Sequence, residues 1–174
     1  MDKNYILTPE VAAKKMKRMA YEILENNFGE TQFVLAGIRE KGVVIARNIQ
    51  TLLNEISKIS TELLTVNLDK TNPQLVTLDK EVSFRDKVIL LIDDVSNSGK
   101  TLLYSLKPFL NDNQKKIQTL VLVERRHNTF PVKPDYVGLS VATTLQEHIF
   151  VEVEGARVKG AWLEDAENSR FLMG

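Results

Sequence analysis

The chain has 174 residues, 43% of them hydrophobic, enough for one domain with a real core and ordinary for a soluble globular protein. Its 23 Lys and Arg balance its 23 Asp and Glu, so no global charge draws it to nucleic acid or a membrane surface, although a local basic face remains open. The absence of cysteine excludes disulfides, thiolate catalysis and Cys-based metal sites; with no signal-type segment in MDKNYILTPE and no run of roughly 18 apolar residues, an unsecreted cytoplasmic protein without membrane spans is expected.

Thr8, Pro9 and Glu10 mark a helix start, with a hydroxyl cap, a proline in the first turn and an acid at the positive end. Ala12, Met16, Met19, Ala20, Ile23 and Leu24 then recur at helical spacing, with Lys14, Lys15, Lys17 and Arg18 elsewhere on the cylinder; the helix should end between Asn26 and Gly29. Gln32 to Ala36 reads as a first core strand. After a turn at Gly37 to Gly42, residues Ile45, Ile49, Leu52, Leu53 and Ile56 carry a second amphipathic helix, and Glu62 to Leu68 is a second strand. Residues 69–86 are polar, contain Pro73 and offer only a weak strand, Gln74 to Leu78; an insert of this kind is often a lid or hairpin over a site.

Val88 to Ile92 is wholly apolar and reads as a buried parallel strand. A polar loop follows, then a helix from Thr101 to about Asn111 that Pro108 should kink or shorten. Ile117 to Val123 is another strand. Beyond it, the loop Glu124 to Pro134 leads to a short strand near Tyr136 and Val137 and to a strand Ile149 to Val153. The alternation predicts an α/β fold: a doubly wound, mostly parallel sheet with helices on both faces. One domain over residues 1–174 is expected, with a core at about 30–123 and a small hood or hairpin from about 124 to 174.

The densest chemistry lies in VILLIDDVSNSGKT, residues 88–101. Val95, Ser96, Asn97, Ser98, Gly99, Lys100 and Thr101 form a largely small, hydroxylated loop at the carboxyl end of a strand, where open α/β sheets bind ligands. Backbone N–H groups can wrap an anion there, hydroxyls can donate to it, and the following helix offers its positive end. Asp93 and Asp94 would repel a phosphate, so they call for sugar hydroxyls or a divalent cation. Mere capping of the next helix would need only one Asp. A Walker A loop requires Gly where Asp94 stands, and a dinucleotide fingerprint requires further glycines between 94 and 99.

The turn Gly37-Ile38-Arg39-Glu40-Lys41-Gly42 should project from the same sheet edge. Its glycines would let backbone approach a ligand, and Arg39 and Lys41 add positive charge. Such a turn is commonplace on a solvated surface, and only its pairing with the first loop gives it meaning. Arg125, Arg126 and His127 end another strand, where an exposed basic turn is an equally good reading.

The apolar strand, the acidic pair and the loop ending Gly99-Lys100-Thr101 resemble the phosphoribosyl diphosphate (PRPP) signature of type I phosphoribosyltransferases. The ordered set ILTPEVAAKKMKRMAYEILENN, LAGIREKGVVIA, VILLIDDVSNSGKT and LVLVERRHNTFPVKPDYVG is similar to the bifunctional pyrimidine-operon attenuation regulator and uracil phosphoribosyltransferase family, over most of residues 6–153. The resemblance implies transfer from PRPP to a pyrimidine base, uracil first, giving the nucleoside monophosphate and pyrophosphate. It implies catalytic roles for Asp93, Asp94, Arg39 and Lys41, with the acids on the ribose 2′ and 3′ hydroxyls. Residues 95–101 would hold the 5′-phosphate. Gly37, Ile38, Glu40 and Gly42 would belong to a pyrophosphate loop that often contains a non-proline cis peptide. Mg²⁺ would reach Asp93 and Asp94 indirectly, through substrate hydroxyls or water. The base would meet a hood containing Arg126, His127, Tyr136 and Val137, and the protein would be a homodimer or higher homo-oligomer.

There are departures from that pattern. The family carries a bulkier aromatic and Thr where this chain has Asn97 and Ser98, and a Tyr-Arg-Asp-Asp run where it has Leu68-Asp69-Lys70-Thr71. No Arg stands there to meet departing pyrophosphate, so Lys70 or Arg85 would have to substitute. Purine-specific transferases place an acidic base at Asn97, and its absence disfavours a purine. The alternative function is a nucleotide-sensing, RNA-binding regulator of pyrimidine genes with weak or no catalysis. Lys14, Lys15, Lys17 and Arg18, with Lys115, Lys116, Arg125 and Arg126, would then bind RNA, a partner that the neutral overall charge disfavours. Both aspartates are expected to face solvent in the empty site.

Overall fold

The computed structural model describes residues 3–165. In chain order the elements are β1 (Asn4–Leu7), α1 (Pro9–Asn26), β2 (Gln32–Ile38), α2 (Arg39–Ile56), β3 (Ser60–Leu68), β4 (Val76–Leu78), β5 (Val88–Ser96), α3 (Lys100–Ser105), β6 (Lys116–Arg125), β7 (Tyr136–Val141), β8 (Glu147–Glu154) and β9 (Arg157–Asp165). The main sheet has the order β4-β3-β2-β5-β6-β7, parallel except where β4 folds back on β3. A smaller antiparallel sheet has the order β1-β9-β8.

Alternation along the strands builds two apolar layers. Phe33, Leu35, Val88, Leu90 and Ile92 face α1 and α2, while Val34, Ala36, Ile89 and Leu91 face Leu102 and Phe109 on the other side. The central strands are therefore apolar on both faces, as parallel strands between helices must be. The expected doubly wound α/β sheet with helices on both faces is present.

Helix α1 begins as its sequence requires. The Thr8 hydroxyl accepts from the Val11 N–H at 3.3 Å, and Ala12, Met16, Met19, Ala20 and Ile23 form the buried stripe. Its end is tied down by Asn27, whose side chain donates to the Ile23 carbonyl and to Gln118, each at 2.8 Å.

Several boundaries differ from the sequence expectation. Strand β5 runs on to Ser96, because β6 keeps pairing it as far as Ser96 opposite Glu124. The acid pair thus lies within the strand, not in the loop beyond it. Helix α3 has only six residues; Pro108 cannot continue it, and the chain passes into a 3-10 turn at Lys107–Phe109. The Gly37–Gly42 turn hardly exists: β2 runs to Ile38 and α2 starts at Arg39, which absorbs the reversal with a left-handed φ of 47°. All peptide bonds among the described residues are trans, so the cis bond implied by the resemblance is absent. Strand β7 completes the main sheet, and β8 and β9 form the small sheet with β1 from the other end of the chain. Residues 166–174 of the expected hood lie outside the described residues. No described helix is long and apolar enough to cross a membrane.

Candidate functional site

At the carboxyl end of the main sheet lies a cavity of about 420 Å³. Lys41, Lys70, the continuous run Asp94 to Leu102, Ile149 and Phe150 line it. All seven loop residues singled out in the sequence, Val95 to Thr101, are on this wall, and Lys41 joins them from α2.

The loop is held open from behind. Gly99 sits at φ 86°, and a Cβ there would meet the Val132 carbonyl oxygen at 2.7 Å. The Thr129 and Phe130 N–H groups donate to the Ser98 carbonyl at 3.1 and 3.0 Å, so the segment after β6 buttresses the loop. The Ser98 hydroxyl accepts from the Lys100 N–H at 3.2 Å. The Ser96 hydroxyl has no partner among the described residues although the residue is 3% exposed. A buried hydroxyl left unmatched costs about 1–3 kcal/mol, and an anion in the cavity would remove that cost.

Gly37 and Gly42 serve the packing of α2 on the sheet. A Cβ on Gly37 would meet the Val43 Cα at 2.6 Å, and one on Gly42 would meet the Ile92 carbonyl oxygen at 2.7 Å and Asp93 Cα at 3.3 Å. They let α2 press against β2 and β5, and this close approach brings Lys41 to the cavity. Ile38 is buried in the core, while Arg39 and Glu40 are exposed and off the cavity wall. Arg39 instead lies near Asp69, whose carboxyl is held below its usual range mainly by hydrogen bonds from Thr71, with Arg39 adding a favourable charge.

The acid pair does not face solvent. Asp93 is 1% and Asp94 7% exposed, because α2 covers the end of β5. Lys70, from the segment after β3, reaches both: its Nζ stands 3.3 and 3.4 Å from the two Asp93 oxygens and 3.5 Å from Asp94 Oδ1. Asp93 also accepts from the Asp94 N–H at 2.9 Å. Burial and then the Asp94 charge push the Asp93 carboxyl well above the ordinary aspartate range, against the opposing pull of Lys70. Burial alone would lower the Lys70 ammonium, but the two aspartates outweigh it and hold it up.

Of the two substitutes considered for the missing Arg, only Lys70 is at the site. Arg85 bridges to Gln114 ahead of β5 and β6, at the opposite edge of the sheet. The rest of the 69–86 insert is anchored, not loose: β4 pairs with β3, Lys107 donates to the Gln74 carbonyl at 3.0 Å, and Phe84 packs edge-on against Phe109.

The residues expected around a base are not brought together. Tyr136 is 1% exposed, and its hydroxyl donates to Gln118 at 2.9 Å beside Asn27, which makes it a core residue under α1. Val137 packs on the opposite core layer, and its carbonyl accepts from Arg18 at 2.6 Å. Arg126 and His127 are exposed and off the cavity wall; Arg126 is engaged with Ser140 at 3.1 Å. The apolar wall comes instead from Ile149 and Phe150 on β8, which no local sequence signal marks as a site. Phe150 stacks on Trp162 with centroids 5.8 Å apart and planes 18° apart. No group of three or more metal-ligating side chains occurs among the described residues. Asp94 on the cavity wall, with Asp93 buried beneath it, fits a magnesium ion reached through water and substrate oxygens.

The chain is similar to known proteins over most of its length. The phosphoribosyl transferase domain family matches residues 5–156. The chain is 34% identical over 160 residues to the bifunctional protein PyrR of Clostridium acetobutylicum, covering 86% of this chain and 90% of that protein. It is 31% identical over 163 residues to that of Enterococcus faecalis, covering 88% and 92%. The fold is similar to the hypoxanthine phosphoribosyltransferase of Trypanosoma cruzi, with a TM-score of 0.74, 14% identity and coverage of 94% of this chain and 98% of that one. The Bacillus anthracis hypoxanthine-guanine phosphoribosyltransferase gives 0.66 at 18% identity, covering 86% and 87%. Matched by the family model over residues 5–156 and by PyrR relatives over most of its length, the chain belongs to the phosphoribosyl transferase domain family.

Proposed function

We propose that the protein transfers a phosphoribosyl group from PRPP to uracil. The observation that carries this is the sharing of one cavity by Lys41, Asp94 and the loop Val95 to Thr101, with Asp93 directly beneath and the Ser96 hydroxyl unmatched. The loop binds the 5′-phosphate, and this remote binding energy fixes the sugar's position. Asp93 and Asp94 accept from the ribose 2′ and 3′ hydroxyls and favour the positive charge that grows on the ring as the C1–O bond to pyrophosphate breaks. Lys41 stabilises the departing anion. When bound, Mg²⁺ would be held by Asp93 and Asp94 indirectly, neutralising pyrophosphate charge. Uracil would rest on the apolar wall of Ile149 and Phe150, its ring nitrogen forming the new bond to C1 while its proton passes to solvent or to the departing anion. Arg39 adds positive potential at the rim without lining the cavity. A homodimer or higher homo-oligomer in the cytoplasm is part of the same reading.

The relatives named bifunctional support keeping the second reading, binding of RNA. Here the neutral formal charge weakens it, and Arg18 is already engaged with Glu22 and the Val137 carbonyl.

Pyrophosphate release with PRPP, Mg²⁺ and each free base in turn tests the proposal. Uracil should give turnover, and the double change Asp93→Asn with Asp94→Asn should reduce it by at least about 100-fold, as loss of groups acting on the transition state does. Release with a purine and none with uracil would overturn the base assignment. Release unaffected by the double change would overturn the site.

A further inference from the structure

We propose that Lys70 is an exchangeable counter-ion for the acid pair: it occupies Asp93 and Asp94 while the sugar site is empty, and it leaves them for the diphosphate on C1 when PRPP enters. The inference rests on the reading of the acids as ribose contacts given above.

Three observations support exchange over a permanent ion pair. The first is looseness. Lys70 stands 3.3 to 3.5 Å from three carboxylate oxygens, longer than the roughly 2.7–2.9 Å of a good charge-assisted hydrogen bond, so it bridges the pair without bonding either acid well. The second is asymmetric burial. The Lys70 side chain is 43% exposed while that of Asp93 is 1% exposed, so the ammonium can withdraw into the open cavity and the carboxylate cannot follow. The third is mounting. Asp69 accepts from the Thr71 N–H and hydroxyl at 2.9 and 2.7 Å, forming a tight turn with Lys70 at its tip, while β4 and the Lys107 contact to Gln74 fix the far side of the insert. A change of side-chain rotamer and a small turn adjustment would re-aim Lys70 without disturbing the sheet.

Charge completes the argument. Two adjacent buried carboxylates need a partner in every state. Sugar hydroxyls and their bound cation can replace the ammonium on Asp93 and Asp94, but the displaced ammonium then needs an anion of its own. PRPP supplies one at C1, in the cavity that Lys70 already lines. Ribose 5-phosphate has the same ring and 5′-phosphate and no anion at C1. Lys70 therefore opposes ribose 5-phosphate and assists PRPP.

Calorimetric titration of the full chain with each ligand, in the same Mg²⁺ buffer, separates the two effects. Lys70→Met should tighten ribose 5-phosphate and weaken PRPP, each by roughly three- to tenfold. Lys70→Gln, which keeps a polar tip, should give the same opposite signs, and Lys70→Arg should restore the wild-type preference. A structural role would move both affinities in one direction. Changes of the same sign, or none, in both neutral variants would overturn the exchange while leaving the site assignment standing. Wild-type protein that binds neither ligand would overturn the site assignment, and the exchange with it.

Discussion

Asp93 carries the sharpest conflict between stability and use. Its carboxyl is buried beside Asp94, and both effects raise its proton affinity above the unfolded value of about 3.9, with Lys70 only partly opposing. The folded state therefore holds this proton more tightly than the unfolded chain. The resulting stability is fully present below the unfolded value and is lost as pH rises through the raised one. Less of that stability remains at pH 8, and Asp93→Asn should raise the midpoint of thermal unfolding there by roughly 2–4 °C, the shift about 1 kcal/mol gives at this chain length. The gain should shrink towards pH 4. Melting curves at the two pH values check this, and a lower midpoint at pH 8 would mean that the Lys70 pair outweighs burial. The acids themselves are legible in the sequence, since two carboxylates after an apolar run are conspicuous. Their burial is not: it depends on Gly42 admitting α2 to within contact of Ile92 and Asp93, residues some fifty positions away.

Among the elements, those whose signal is local were legible. Helix α1 announces itself by its Thr8 cap and 3.6-residue stripe, and β5 by an unbroken apolar run. The expected C-terminal hairpin is the β8–β9 pair, but strand β1 has no signal of its own, because Asn4 pairs with Leu163 across almost the whole chain. The consequence for the site is direct, since the small sheet supplies the apolar wall that Tyr136 and Val137 were expected to provide. Phe150 reaches the cavity with Trp162 stacked behind it, Tyr5 edge-on at 6.0 Å and Lys3 4.0 Å above the indole centre. Trp162 is the only tryptophan in the chain, so its fluorescence reports on this wall. Uracil added to the protein with ribose 5-phosphate should change the emission, whereas ribose 5-phosphate alone should not. Phe150→Ala should raise the KM for the base by about tenfold while leaving that for PRPP within about twofold, in line with the loss of one aromatic contact. Equal rises in both would show that β8 braces the phosphate loop and does not meet the base.

For the whole molecule, the question is whether the two sheets act as one body. They share an apolar core: Leu7 of β1, Val151 of β8, and Val158 and Ala161 of β9 are buried in the same cluster as Met19, Leu35, Ile49, Leu90 and Leu122. Helix α1 is the link, packing its buried stripe against β7 of the main sheet and β9 of the small one. The apolar face of the small sheet is buried only by that shared core, so its order depends on this packing. The small sheet should therefore not melt on its own. In urea, Trp162 emission, which follows the small sheet, and far-UV circular dichroism, which is dominated by α1 and α2, should trace one transition with a common midpoint. A fluorescence midpoint more than about 0.5 M below the dichroism midpoint would mean a separately unfolding hood. A single transition carries a functional consequence as well. The Asp94 end of β5 and the Phe150 face of β8 would then be set relative to each other by folding, leaving the Lys70 turn as the part of the cavity wall that the proposed exchange re-aims.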